Sequence, residues 1–400
     1  MKPIYLDNNA TTRLDPMVLE AMMPFLTEQY GNPSSIHDFG IPSRGALARA
    51  HQQVAALLGA QHDSEIIFTS CATEAISTAI HAAVELLPER REIITSAVEH
   101  PATLAVCEHY ERQGYVIHRL GVTPQGALDM EQYRQVLSDR VALVTVMWAN
   151  NETGVMFPVE EMAALAHEYG ALFHCDGVQV VGKVPVTLAA TQIDMLSCSA
   201  HKFHGPKGVG CLYLRRGTRF RPLLRGGHQE RGRRAGTENI AGIVGMGSAS
   251  ELAQVHLAGM GSVLAMRDHL QEGLVEAIPS VIVMGGDQPR VPNTLNIAFE
   301  FIEGEAILLL LNRAGIAASS GSACTSGSLE PSHVMRAMNI PYTAAHGSIR
   351  FSLSRYIREK EIDYVIETLP AIISKLRMLS PYWNAGAPGL TDSAFAPTYG

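Results

Sequence analysis

Ala171-Leu172-Phe173-His174-Cys175-Asp176-Gly177-Val178-Gln179 reads as a short apolar strand, Ala171 to Cys175, that delivers a carboxylate and then turns. Similar runs lie on either side. Glu65-Ile66-Ile67-Phe68-Thr69, Glu92-Ile93-Ile94-Thr95, Ala142 to Met147, Met195 to Ser197 and Gly210 to Leu214 are strand-like. Amphipathic segments at Ala72 to Leu87, Thr103 to Gln113, Met130 to Leu137 and Val159 to Tyr169 separate them. Strands alternating with helices specify an α/β fold with a mainly parallel sheet covered on both faces. Such sheets bind ligands at the carboxyl ends of their strands.

Asp176 stands at one such end, and Lys202, in Ser199-Ala200-His201-Lys202, follows a neighbouring strand. A lysine there can form a Schiff base with the aldehyde of pyridoxal phosphate. The carboxylate can keep the pyridine nitrogen protonated, so that the ring accepts electrons. Thr69-Ser70-Cys71-Ala72-Thr73-Glu74 supplies a strand-to-helix junction whose N–H groups, with the Thr73 hydroxyl, suit a phosphate dianion; Ser/Thr followed by Glu is also an ordinary helix cap. Ser199 and His201 can donate to the same phosphate or form a packed polar pair. His100, before Pro101, suits ring stacking and proton transfer, or simply flanks a helix. Asn150 and Asn151 can reach a ring hydroxyl or serve as turn residues with Gly154. A zinc site from Cys198, His201, Cys211 and the His174-Cys175 pair matches no familiar ligand spacing, and Cys198 and Ser199 should face opposite sides of a strand.

The chain has 400 residues, more than one core usually holds, so a second, smaller domain is expected. With 46% hydrophobic and 18% charged residues it has ample material for buried strands. A net charge of -8 argues against general nucleic-acid binding. Arg215, Arg216, Arg219, Arg221, Arg225, Arg231, Arg233 and Arg234 crowd one stretch, either as a solvated loop or as an anion-facing surface. No basic leader or membrane-length apolar run is present, which predicts a cytoplasmic chain that makes no membrane contact. A helical stretch from Thr237 to Glu276 leads to the second unit, for which the strand Ser348 to Ser352 and the helices Gly304 to Arg313 and Lys360 to Met378 predict an α+β architecture.

Six cysteines without a Cys-x-x-Cys pair predict free thiols. Cys71, Cys107, Cys175, Cys198 and Cys211 sit among apolar or small residues, and most of them read as packing. Cys324 differs: it lies in Ser319-Ser320-Gly321-Ser322-Ala323-Cys324-Thr325-Ser326-Gly327-Ser328, ten small residues without a hydrophobic anchor. The expectation is a mobile, exposed loop whose thiol can visit a substrate and then a partner.

Taken together, Tyr5-Leu6-Asp7-Asn8-Asn9-Ala10-Thr11-Thr12, Gly31-Asn32-Pro33-Ser34-Ser35, Glu99-His100-Pro101, Asn150-Asn151-Glu152-Thr153-Gly154, Ser199-Ala200-His201-Lys202, Arg234-Ala235-Gly236-Thr237-Glu238-Asn239 and the Cys324 loop resemble the cysteine desulfurases. The resemblance is strongest to their nitrogen-fixation type, through Met147-Trp148-Ala149-Asn150 and the arginine-rich stretch, and covers residue 4 to Trp383. It implies a fold-type-I, pyridoxal 5′-phosphate-dependent homodimer. The large domain, residues 15–260 with a seven-stranded sheet, would bind the cofactor. Residues 1–14 with 261–383 would form the small domain, and 384–400 a disordered tail. By motif, Lys202 is the Schiff-base lysine, Asp176 the partner of the ring nitrogen and His100 the stacking acid/base. Gln179 and Asn151 contact the ring oxygen, and Ala72, Thr73, Ser199 and His201 hold the phosphate. Thr237 reaches in from the other subunit.

Arg350 and Asn32 would bind the carboxylate of L-cysteine. Cys324 would take its sulfur as a persulfide, leaving L-alanine, and pass it to an iron-sulfur scaffold for nitrogenase. It would also serve as a transient cluster ligand shared with that scaffold. Cys71, Ala72 and Ala200 stand where many desulfurases have glycine; at Cys71 the nitrogen-fixation group resembles this chain. A selenocysteine lyase or an aminotransferase of the same fold would keep the lysine site without needing Cys324. A non-catalytic sulfur or metal carrier would need neither.

Overall fold

Seven strands form the main sheet of the computed structural model, which describes residues 3–320 and 331–383. Their spatial order is Ile66–Thr69, Gly210–Leu214, Met195–Ser199, Leu172–Asp176, Val141–Met147, Glu92–Ser96 and Val116–Leu120. All neighbours are parallel except those of Gly210–Leu214, which is antiparallel to both strands beside it. Every residue of Val141–Met147 is buried, as continuous apolar sequence requires of a strand covered on both faces. The register sets Met147 beside Asp176 and Asp176 beside Ser197. Three strand ends are thereby aligned at one edge.

The expected strands and helices are present with shifts of one or two residues at their ends. Three differences stand out, two of them with a physical cause visible in the sequence. Val116–Leu120 is an edge strand whose polar His118 and Arg119 obscure its pattern. Helices Pro16–Thr27 and Gly40–Leu57, outside the expected elements, cover the sheet with helix Ile240–Leu257.

The stretch Thr237 to Glu276 divides into Ile240–Leu257 and Met260–Ala277, separated by Ala258-Gly259. The Gly259 N–H turns back to the His256 carbonyl. Met246, Ala249 and Ala253 enter the core around the main sheet, whereas Val263, Leu270 and Leu274 enter a second core. One continuous helix could not serve both.

That second core lies against the antiparallel strands Ser348–Ser352, Thr294–Phe299 and Val281–Val283, with helices Gly304–Arg313 and Glu359–Leu379. The N-terminus joins it. Ile4–Tyr5 pairs in parallel with Ile316–Ala317, and Ile4 and Leu6 are buried there. Among the described residues no helix is long and apolar enough to cross a membrane.

Candidate active site

At the aligned strand ends is a cavity of about 370 Å³. Ala72, Thr73, His100, Asn151, Asp176, Gln179, Ser199, His201, Lys202 and Arg350, ten of the expected site residues, all line it. Lys202 ends the turn Ala200–Lys202 directly after strand Met195–Ser199. Its Nζ donates to the backbone carbonyls of Asn9 and, at 2.9 Å, Ala10. Asp176 closes the neighbouring strand and accepts the Val178 N–H on Oδ1 at 3.0 Å. Burial raises its pKa to about 6, against the lowering effects of that bond and of the Lys202 charge. A cation held at this carboxylate would keep it ionised.

Helix Ala72–Leu86 opens with Cys71 in extended backbone, φ −173°, a conformation any residue adopts. A glycine is therefore not required there. The Cys71 side chain does not cap the helix, so the first-turn N–H groups of Ala72 and Thr73 remain for a ligand. Glu74 accepts from Ser70 N, one residue before the N-cap, at 2.7 Å and is paired with Arg234, so the ordinary Ser/Thr cap is not formed and Glu74 ties down the approach to the helix. Gly210 fixes how closely the cradle approaches the sheet: a Cβ there would lie 2.7 Å from the Cys71 carbonyl carbon and from the Cys198 oxygen, and 3.0 Å from Ala72 N.

His100 flanks a helix, as one of its two readings expects, and also lines the cavity. It caps helix Pro101–Glu111 by accepting Ala102 N–H on Nδ1 at 3.1 Å, and its ring also faces the cavity. Burial and then the Lys202 charge bring it down to about 4, so it is neutral near pH 7 with its proton on Nε2. The same causes bring His201 to about 4. The adjacent asparagines divide their work. Asn150 caps the turn through Glu152 N and Thr153 N, while Asn151 lines the cavity.

Arg350 reaches in from strand Ser348–Ser352. Nη1 donates to the Asn151 carbonyl and Nη2 to Asp7 Oδ1, each at 2.9 Å, and Nε is buried without a partner. An orphaned guanidinium N–H in a cavity is a place for an anion.

Asn32 is exposed, outside this cavity, and accepts Ser34 N–H at 2.9 Å. Thr237 lines a separate small pocket with Phe68, Ser70 and Asn239. Cys324 and the tail 384–400 lie outside the described residues. The segments flanking Cys324 are anchored beside the cavity: Ser319 and Arg350 exchange backbone hydrogen bonds, Ser332 donates to Glu152 Oε2 at 2.6 Å, and His333 Nε2 lies 2.9 Å from the Glu99 carbonyl oxygen.

The zinc alternative does not assemble. Cys198 and Cys211 face each other inside the core at 3.2 Å, His174 is bonded to Thr145 and Ser197, and no group of three or more metal-ligating side chains occurs among the described residues. Arg216, Arg219, Arg221, Arg225 and Arg231 of the arginine stretch are exposed, as a solvated loop requires, while Arg215 and Arg233 hold backbone carbonyls and Arg234 holds Glu74; none of the eight lines this cavity. Asp7, Asn9 and Ala10 were visible in sequence only as part of a motif. Their roles depend on contacts with residues hundreds of positions away.

Fold and cavity together match a known class, and a family model described as aminotransferase class-V covers residues 4–365. The chain belongs to that family, which implies pyridoxal phosphate, and within it to the cysteine desulfurases. It is 76% identical over 400 residues to a cysteine desulfurase of Klebsiella pneumoniae, covering all of both chains. To the cysteine desulfurase NifS of Azotobacter vinelandii it is 60% identical over 403 residues, again over all of both. A solved NifS-like protein superposes with a TM-score of 0.87 at 38% identity, covering 94% of this chain and all of the other.

The residues present fit the implied cofactor. The cradle suits its phosphate, Asp176 its ring nitrogen and Lys202 its aldehyde.

Proposed function

We propose that the chain binds pyridoxal 5′-phosphate on Lys202 and transfers the sulfur of L-cysteine to Cys324. The observation that carries this reading is the single cavity in which a buried carboxylate, a lysine, a helix N-terminus and an arginine with an open N–H converge. When bound, the cofactor supplies an electron sink at the substrate's α-carbon. Asp176 stays ionised and holds the ring nitrogen's proton. Ala72, Thr73, Ser199 and His201 fix the phosphate, and Asn151 and Gln179 contact the ring oxygen. Arg350 holds the substrate carboxylate, and Asn32, which lies outside this cavity, would have to move to assist it. The Lys202 amine moves the α-proton, and neutral His100 offers its Nε2 proton to the reacting substrate.

The Cys324 thiolate attacks the substrate sulfur. An S–S bond forms as the C–S bond breaks, so L-cysteine and one thiol become L-alanine and one persulfide. Reach supports this assignment: Cys324 is four residues beyond Ser320, a span of at most about 14 Å, and Ser319 is bonded to Arg350 itself.

The large unit would comprise residues 15–260 and the small unit 1–14 with 261–383. A second copy of the chain would complete the site with its own Thr237. In support, Met23, Leu26, Tyr30, Ile36 and Phe39 leave a run of apolar side chains exposed, and Thr237 stands outside its own chain's cradle. The persulfide would go to an iron-sulfur scaffold serving nitrogenase, a destination suggested by full-length similarity to the Azotobacter protein. Borohydride reduction of the holoenzyme followed by peptide mapping tests the cofactor assignment. The label is expected on Lys202; a label on any other lysine refutes it.

A further inference from the structure

Lys183 has no part in the steps above, yet it is buried and its Nζ donates to Gln179 Oε1 at 2.7 Å and to Asn9 Oδ1 at 3.1 Å. Burial, with the charges of Lys202 and Arg350, lowers its pKa well below the usual lysine range. Both bonds survive loss of that proton, because a neutral amine still carries two N–H donors for the two oxygens.

These contacts fix the orientation of Gln179 from both ends. The amide atom facing the donating Lys183 Nζ is the oxygen. The other lies 3.1 Å from the Asn9 backbone carbonyl, which can only accept, and is therefore the nitrogen. Asn9 cannot swing to follow a rotating partner. Its Oδ1 also accepts from Asn293 Nδ2 at 3.1 Å, and its Nδ2 donates to Thr294 Oγ1 at 2.9 Å. One Gln179 N–H goes to Asn9, which leaves the second for the cavity that Gln179 lines.

We infer that Lys183 is a positioning residue: by holding the Gln179 carbonyl oxygen, it commits the Gln179 NH2 group to act as donor to the ring oxygen of the bound cofactor. Without Lys183 the Asn9 carbonyl alone resists rotation of the amide, and each turn that brings its oxygen toward the ring oxygen replaces attraction with repulsion. The inference rests on the pyridoxal phosphate reading of the cavity and goes beyond it by assigning a buried residue that need not touch the cofactor.

The test is a double-mutant cycle on cofactor binding. Apo protein of wild type, Lys183→Met, Gln179→Leu and the double variant is titrated with pyridoxal 5′-phosphate, and Kd and the absorption maximum are read. Lys183→Met should weaken binding about tenfold in the wild-type background, the scale of one hydrogen bond, and shift the maximum. In the Gln179→Leu background the same change should alter Kd by less than about twofold and leave the maximum unmoved. An equal loss in both backgrounds, or no loss in the wild-type background, overturns the inference.

If Lys183→Met alone does not fold, the two Gln179→Leu proteins are still compared. A tenfold difference between them refutes the inference, and Lys183→Leu, read by the same criteria in both backgrounds, replaces Lys183→Met in the cycle. Failure of wild-type apo protein to bind the cofactor at all would instead refute the cofactor reading.

Discussion

Replacing Gly210 by alanine tests the cradle without touching any residue assigned to chemistry. The new Cβ would stand 2.7 Å from the Cys71 carbonyl carbon and the Cys198 oxygen, and 3.0 Å from Ala72 N, where ordinary contact begins at 3.4 Å. All three are backbone atoms, so no side chain can swing aside. The Cys198 oxygen belongs to strand Met195–Ser199 within the sheet, which leaves the start of helix Ala72–Leu86 as the part that yields.

Overpacking of this kind costs about 1–3 kcal/mol. If most of it is expressed as displacement of the Ala72 and Thr73 N–H groups, cofactor affinity falls by about tenfold to a hundredfold. The assay is absorbance titration of apo protein with pyridoxal 5′-phosphate, beside a thermal melt to confirm folding. A folded Gly210→Ala protein with Kd within about twofold of wild type refutes the reasoning, because the strain would then have been taken up away from the phosphate.

Two further outcomes are expected. Arg350→Lys should raise KM for L-cysteine by about tenfold or more while leaving the bound-cofactor spectrum intact, since an ammonium cannot reproduce the guanidinium fork; an unchanged KM places the substrate carboxylate elsewhere. His174, brought to about 3 by full burial, takes up a proton on unfolding at any pH between that value and 6.5. Its contribution to stability is present above pH 6.5 and is lost as the pH falls toward 3. Wild type should therefore lose about 2 kcal/mol more than His174→Gln between pH 7 and pH 5, measured by urea unfolding; parallel losses contradict the assignment.

The sheet was legible because Val141–Met147 and its neighbours must bury both faces, and that demand writes continuous apolar runs into the sequence. The same logic located Asp176 and Lys202 at strand ends. It failed where one face is partly solvated, at Val116–Leu120, and where one amphipathic period serves two cores, at Ala258-Gly259. Within the site, residues that carry a recognisable chemical type could be named. Those that act through a carbonyl or a distant pairing could not: Asn9 and Ala10 hold Lys202 with backbone oxygens, and Asp7 meets Arg350 across 343 positions. Local sequence contains no trace of such contacts. Asn150 and Asn151 show the opposite limit, since identical side chains in succession received different tasks from the turn that holds them.

In the proposed reaction Cys324 receives the sulfur loosened at the Lys202 site. The direct measurement is mass spectrometry of the Cys324 peptide after brief incubation of holoenzyme with L-cysteine, with alanine quantified in the same sample. One added sulfur on Cys324 and an equal amount of alanine are predicted. A Cys324→Ala protein should keep its cofactor absorbance and release neither product at the wild-type rate. Alanine and sulfide produced by Cys324→Ala at that rate, or the added sulfur on another cysteine, would contradict the account.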